Sequence, residues 1–91
     1  MVVIFSRHVV DKLAKELSRM GITDELLKDV VSNPDEVLYD SLTERYVALK
    51  MERRLAVIYE KIGEDIFIIT AIYSSRLEDT VQRRRRSGRW I

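Results

Sequence analysis

Among its 91 residues the chain has no cysteine, one proline, three glycines, and a single histidine, asparagine and glutamine. Without cysteine there is no disulfide framework and no thiolate metal site, and one histidine does not make a structural zinc site. No metal and no cofactor are therefore expected. The glycines are scattered and form no phosphate-cradling loop. The longest apolar stretch, Asp65 to Tyr73 (D-I-F-I-I-T-A-I-Y), is too short for a transmembrane helix. No basic segment precedes the apolar Met1 to Phe5, so no signal peptide is expected, and the expected location is cytoplasmic without a membrane partner.

What remains is ordinary for one globular domain spanning residues 1–91, with 46% hydrophobic residues. Charged residues make up 34%. Together with the scarcity of asparagine and glutamine, this agrees with a thermophilic source. The net charge is only +1, but it is unevenly spread. Residues 76–91 hold six arginines against Glu78 and Asp79, a balance of +4, which leaves −3 for the rest. Such asymmetry permits contact with a nucleic acid or an acidic protein.

Along the chain, Val2 to Phe5 reads as a first strand and Ser6 as the cap of a helix from Arg7 to Met20. Val9, Val10, Leu13, Ala14, Leu17 and Met20 give that helix one apolar stripe, and Gly21 ends it. Thr23 or Asp24 caps a second helix with Leu26, Leu27, Val30 and Val31 on its buried side, stopped by Asn33-Pro34. The period then changes towards two. Strands are expected over Glu36 to Asp40, Tyr46 to Met51, Arg54 to Lys61 and Asp65 to Ser74. Their short connections predict an antiparallel meander, followed by a short helix or tail.

The expected fold is thus α+β in the order β-α-α-β-β-β-β, with a helical hairpin on one face of an antiparallel sheet. Two-residue hairpin loops would place Leu49 opposite Ala56, Val47 opposite Ile58, Ile58 opposite Ile69, and Ala56 opposite Ala71. One face then carries Val47, Leu49, Met51, Ala56, Ile58, Phe67, Ile69 and Ala71, the expected bed for the two helices. The other carries Tyr46, Ala48, Lys50, Val57, Tyr59, Ile68, Thr70 and Ile72. Charge pairs Glu44–Lys61 and Arg45–Glu60 fit the same count.

This second face has an ordinary reading, cover by Leu77, Val81 and Trp90 packed on Ile68 and Ile72. It also has a functional one: a basic-aromatic groove in which Tyr46 and Tyr59 meet bases while Lys50, Lys61, Arg76, Arg83, Arg84, Arg85 and Arg86 hold phosphates. Both can hold at once. His8, with Arg7 beside it on the first turn of a helix, suits a neutral imidazole acting as a general base. His8, Lys50 and Tyr59 are the candidate catalytic residues, and an endoribonuclease is one possibility, since cations can stabilise a phosphorane-like transition state. The alternative is a non-catalytic module that binds a protein partner or dimerises through the same face.

The segments Phe5-Ser6-Arg7-His8, Arg19-Met20-Gly21-Ile22-Thr23 and Val31-Ser32-Asn33-Pro34-Asp35-Glu36-Val37 resemble a small, uncharacterised bacterial and archaeal domain family with the pattern T-R-H-A…R-G-I-S…V-L-x-N-P-x-x-V. The similarity extends through strands like Leu55 to Tyr59 and Ile66 to Tyr73, and so spans nearly the whole chain. That family resembles the RelE/ParE toxin superfamily, including BrnT-like toxins. The resemblance implies the layout above and an mRNA endonuclease toxin, acting on free or ribosome-bound RNA and neutralised by an antitoxin protein. Lys12 stands where relatives often have arginine, and no RelE-type catalytic set is carried over onto this chain.

Overall fold

The structure, a computed structural model, describes residues 1–91. Ser6 and Thr23 set the first two helices. The Ser6 hydroxyl accepts from the Val9 N–H and starts α1 (Arg7–Lys15); the Thr23 hydroxyl accepts from the Leu26 N–H and starts α2 (Asp24–Ser32). The helix expected to run to Met20 stops at Lys15 and tightens into a 3-10 turn, Leu17–Met20. Gly21, at φ 74°, closes that turn with its N–H on the carbonyls of Leu17 and Ser18. Val10 and Ala14, expected on the apolar stripe, are exposed within α1, and at the tightened turn Leu17 and Ile22 are buried while Met20 is exposed.

Three helices and a five-stranded sheet make an α+β fold. The strands are β1 (Val3–Phe5), β2 (Glu36–Asp40), β3 (Arg45–Lys50), β4 (Leu55–Ile62) and β5 (Asp65–Tyr73), in spatial order β1-β5-β4-β3-β2. The hairpin-linked strands β2 to β5 are antiparallel, as their short connections require. The sheet as a whole is mixed, correcting the antiparallel expectation, because β1 joins β5 in parallel. The helices intervene between β1 and the rest, so no hairpin dictates its direction. No helix is long and apolar enough to cross a membrane.

Between β3 and β4 the register is the expected one: Tyr46 faces Tyr59, Val47 faces Ile58 and Leu49 faces Ala56. Met51 belongs to a 3-10 turn, Met51–Arg53, rather than to the strand. Arg45 and Glu60 form the expected ion pair at 2.9 Å. Glu44 and Lys61 form none: Glu44 lies in the turn with φ 60°, and the Lys61 ammonium sits over the Tyr46 ring. Between β4 and β5 an irregularity at Ile58/Tyr59 shifts the ladder by one residue, so Ile58 faces Thr70 and Val57 faces Ala71. The pairs Ile58–Ile69 and Ala56–Ala71 do not form.

The faces of β3, β4 and the first part of β5 are exchanged relative to expectation, whereas beyond the shift Ala71 lies under the hairpin and Ile72 under Leu77, Val81 and Trp90, as expected. The helical hairpin covers Ala48, Leu55, Val57, Tyr59, Ile66, Ile68 and Ala71, burying them against Val9, Leu17, Ile22, Leu27, Val30 and Val31. The opposite face, Leu38, Val47, Leu49 and Ala56 with Ile58 and Ile72, is covered by Leu77, Val81 and Trp90. Leu77 and Val81 belong to α3 (Leu77–Arg86), whose first turn carries Glu78 and Asp79 and whose last turn carries four arginines, each sign at the favourable end of the helix dipole.

Beyond α3, residues 89–91 return to the outer edge of β2. Ser41 N–H donates to Arg89 O at 2.7 Å, and Ile91 N–H to Tyr39 O at 2.9 Å. There Asp40 is 1% exposed, beside Trp90 and Arg89.

Candidate nucleic-acid interface

The candidate catalytic residues do not share a site. Tyr59 is 3% exposed beneath the helical hairpin, its ring stacked on Tyr46 at 5.6 Å and 23°, with Tyr39 edge-on to Tyr46 at 5.5 Å. Burial pushes its phenol above the ordinary value, and the neighbouring Tyr46 adds to this. Such a tyrosine is a packing residue. Tyr59→Ala is expected to cost about 3–5 kcal/mol of stability, measured by urea unfolding, through the cavity it leaves.

Lys50 is committed elsewhere. Its ammonium donates to the Asn33 carbonyl at 3.1 Å and lies 3.7 Å from the Asp35 carboxylate, fastening the end of β3 to the C-terminus of α2.

His8 is exposed beyond the β5 edge, on the other side of β4 from Lys50, with Nε2 3.2 Å from the Thr70 hydroxyl. Ser6 donates to the Ile69 carbonyl at 2.6 Å, and Lys12 to the Ala71 carbonyl at 2.7 Å. Ser6, His8 and Lys12 thus line the part of the β5 edge that β1 is too short to pair. No acid–base pair is assembled around a common point.

The groove combining tyrosines, lysines and arginines is also divided. Lys61, 5.0 Å from the Tyr46 ring centroid, stays with Tyr46 and Tyr59 on the hairpin side. The arginines of α3 lie across the sheet. Within them the structure separates two roles. Arg85 is ion-paired with Glu36, and the half-buried Arg84 lies over the Trp90 ring at 5.7 Å. Arg76, Arg83 and Arg86 take part in no ion pair. With Asp79 and Gln82 they line one shallow cleft of about 410 Å³. Thr80, Arg83, Arg84 and Ser87 line a smaller cleft of about 280 Å³ that has no apolar residue.

Helical spacing explains the division. Positions 76, 83 and 86 fall on the exposed stripe of α3, while Leu77 and Val81 face the sheet and Arg84 and Arg85 flank that buried side. The four-arginine run is visible in sequence; its division into two anchoring and two free arginines is not, until the helix is phased against the sheet. Sequence reasoning passed over Arg53, Arg54 and Tyr73, which line another cleft with Met20, Ile22 and Leu26. The Arg-Arg doublet next to a hairpin turn was the available signal. It also passed over Asp40.

Comparison of the chain with family models, with curated proteins and with solved structures finds no match.

Proposed function

We propose that this protein binds RNA through α3, as a toxin-like protein of the RelE/ParE kind that acts within a toxin–antitoxin pair. The observation carrying the RNA reading is the exposed stripe of Arg76 at the start of α3 with Arg83 and Arg86 in its last turn, three guanidinium groups that form no ion pair and share their cleft with a single acid, Asp79. Guanidinium groups match phosphate oxygens bidentately, and their release of counterions makes such binding favourable without base recognition. The toxin reading rests on the family resemblance and on the helical hairpin packed against the sheet. Binding rather than cleavage is the activity proposed, because His8, Lys50 and Tyr59 are dispersed.

A second reading is favoured by β1. Its outer edge is unpaired, and Val2 and Ile4 are exposed there, which suits a strand added by an antitoxin or by a second copy of the chain.

Expression in a bacterial host tests the toxin reading. Wild-type protein is expected to slow growth at least about twofold, and Arg83→Ala with Arg86→Ala to relieve the arrest at equal protein level. Growth unaffected by the wild type at high expression removes the toxin reading, and arrest undiminished in the variant removes α3 from it.

A further inference from the structure

The third cleft, of about 350 Å³, lies where the 3-10 turn before Gly21, the start of α2 and the β3–β4 turn meet the end of β5. Its apolar wall is made by Met20, Leu26 and Tyr73, and its rim by Glu52, Arg53 and Arg54. We infer that this cleft receives an unstacked base of a single-stranded RNA whose phosphates run along α3. The inference rests on the reading of α3 as the RNA surface and adds the strand state of the ligand.

Three observations carry it. The cleft, on the hairpin face, connects to the arginine stripe on the opposite face around the end of β5: Ser74 N–H donates to Arg54 O at 3.1 Å, and Arg76 N–H donates to the Ser74 hydroxyl at 3.1 Å, so the cleft rim and the first arginine of the stripe are one hydrogen bond either side of Ser74. Its charge is complementary to phosphate, since Arg53 and Arg54 form no ion pair and outnumber Glu52. Tyr73 is an aromatic ring left 36% exposed against Met20 rather than buried. An aromatic face between apolar and cationic groups stacks any base but cannot reach one inside a duplex.

Arg54 adds a further mark. It holds a left-handed backbone, φ 56°, at a turn position where glycine would be unstrained.

The experiment uses the full chain, a ten-nucleotide single-stranded RNA containing 2-aminopurine, and the matching blunt duplex. The single strand is expected to bind more tightly than the duplex, with quenching of 2-aminopurine on stacking. Tyr73→Ala should abolish the quenching and weaken single-strand binding about 5- to 100-fold, while Tyr73→Phe retains both. Arg54→Gly should raise the melting temperature yet weaken single-strand binding, a combination that a purely structural arginine would not give. Equal affinity for single strand and duplex, or unchanged single-strand binding in Tyr73→Ala, overturns the cleft while leaving α3 as the RNA surface. Absence of binding to either RNA overturns both. Capture of an acidic leucine-containing peptide in competition with RNA at Tyr73 overturns the cleft as a base site.

Discussion

Reversal of two charges, Arg83→Glu with Arg86→Glu, is expected to weaken RNA binding at least about 100-fold at 0.15 M salt, read by fluorescence anisotropy. Each charged hydrogen bond to phosphate contributes about 1.5–3 kcal/mol, so losing two contacts alone reaches or exceeds that factor before repulsion is added. The fold should survive, because neither side chain is buried or ion-paired. Because both reversals put negative charge at the C-terminal end of α3, a stability loss of about 0.6–2 kcal/mol is expected, and affinity is to be compared where the variant remains folded. The neighbouring pair serves as the contrast. Arg84 and Arg85 hold Trp90 and Glu36, so changes there alter how α3 and β2 are joined as well as the surface charge. Equal RNA affinity in the double variant would remove α3 from the interface.

Asp40→Ala is expected to lower stability by about 3 kcal/mol, and the melting temperature by roughly 12–24 °C for a domain of this size. The carboxylate accepts from Arg89 Nε at 3.2 Å, from the Trp90 indole at 3.4 Å, and from the N–H groups of Leu42 and Thr43 at 3.0 and 3.3 Å. One acidic group therefore closes the β2–β3 turn and holds residues 89–91 against the edge of β2. Its removal leaves several donors unpaired at once. Burial by itself would push the Asp40 carboxyl up, but the hydrogen bonds from Arg89, Thr43, Leu42 and Trp90 outweigh burial and hold it below the ordinary aspartate value of 3.8.

The consequence for acid stability has a definite sign. A depressed value in the fold means that the contribution of Asp40 is fully present above 3.8 and is lost as pH falls through the lower folded value. Asp40→Asn should accordingly be less stable than wild type at neutral pH, and the difference should shrink as pH falls below 3.8. Chemical denaturation at several pH values measures this. A difference that stays constant down to pH about 2 would show that Asp40 acts by shape and not by charge.

Local chemistry made much of the backbone legible in the sequence. Ser6, Thr23 and Asn33-Pro34 act on their own turns, and the structure uses each as read, while Gly21 closes the 3-10 turn that replaces the expected end of the first helix. The β3–β4 register was countable because Tyr46–Tyr59 and Arg45–Glu60 agree on one pairing. The exchange of faces was not legible, for a physical reason. Val47, Ala48 and Leu49 are all buried, as are Ala56 and Val57, so alternation marks no polar side to identify the helical bed. The shift at Ile58/Tyr59 had no glycine to announce it, and it moves every β5 residue beyond Ile68 by one position against β4.

The sites suffered from the same limit. Tyr46, Tyr59 and Lys50 formed a plausible groove only while their face was taken to be open; under the hairpin they pack and fasten. The arginines of α3 depended on no strand register, and so remain the surface of interest. Asp40 read only as the last residue of a strand because its partners, Arg89 and Trp90, lie about fifty positions away and meet it only through the returning tail. Asp65 to Tyr73, the longest apolar stretch, ends in the exposed Tyr73 beside the cleft rimmed by Arg53 and Arg54.

The salt dependence of RNA binding tests the central claim most directly. With Arg76, Arg83 and Arg86 each neutralising a phosphate of a single strand, these three should contribute about −2 to the slope of the logarithm of the wild-type association constant against the logarithm of salt concentration. Replacing all three by alanine should make that slope shallower by about 2 while the protein stays folded. The same steep slope in the triple variant, or wild-type binding indifferent to salt, would contradict the assignment of α3 as the phosphate-binding surface.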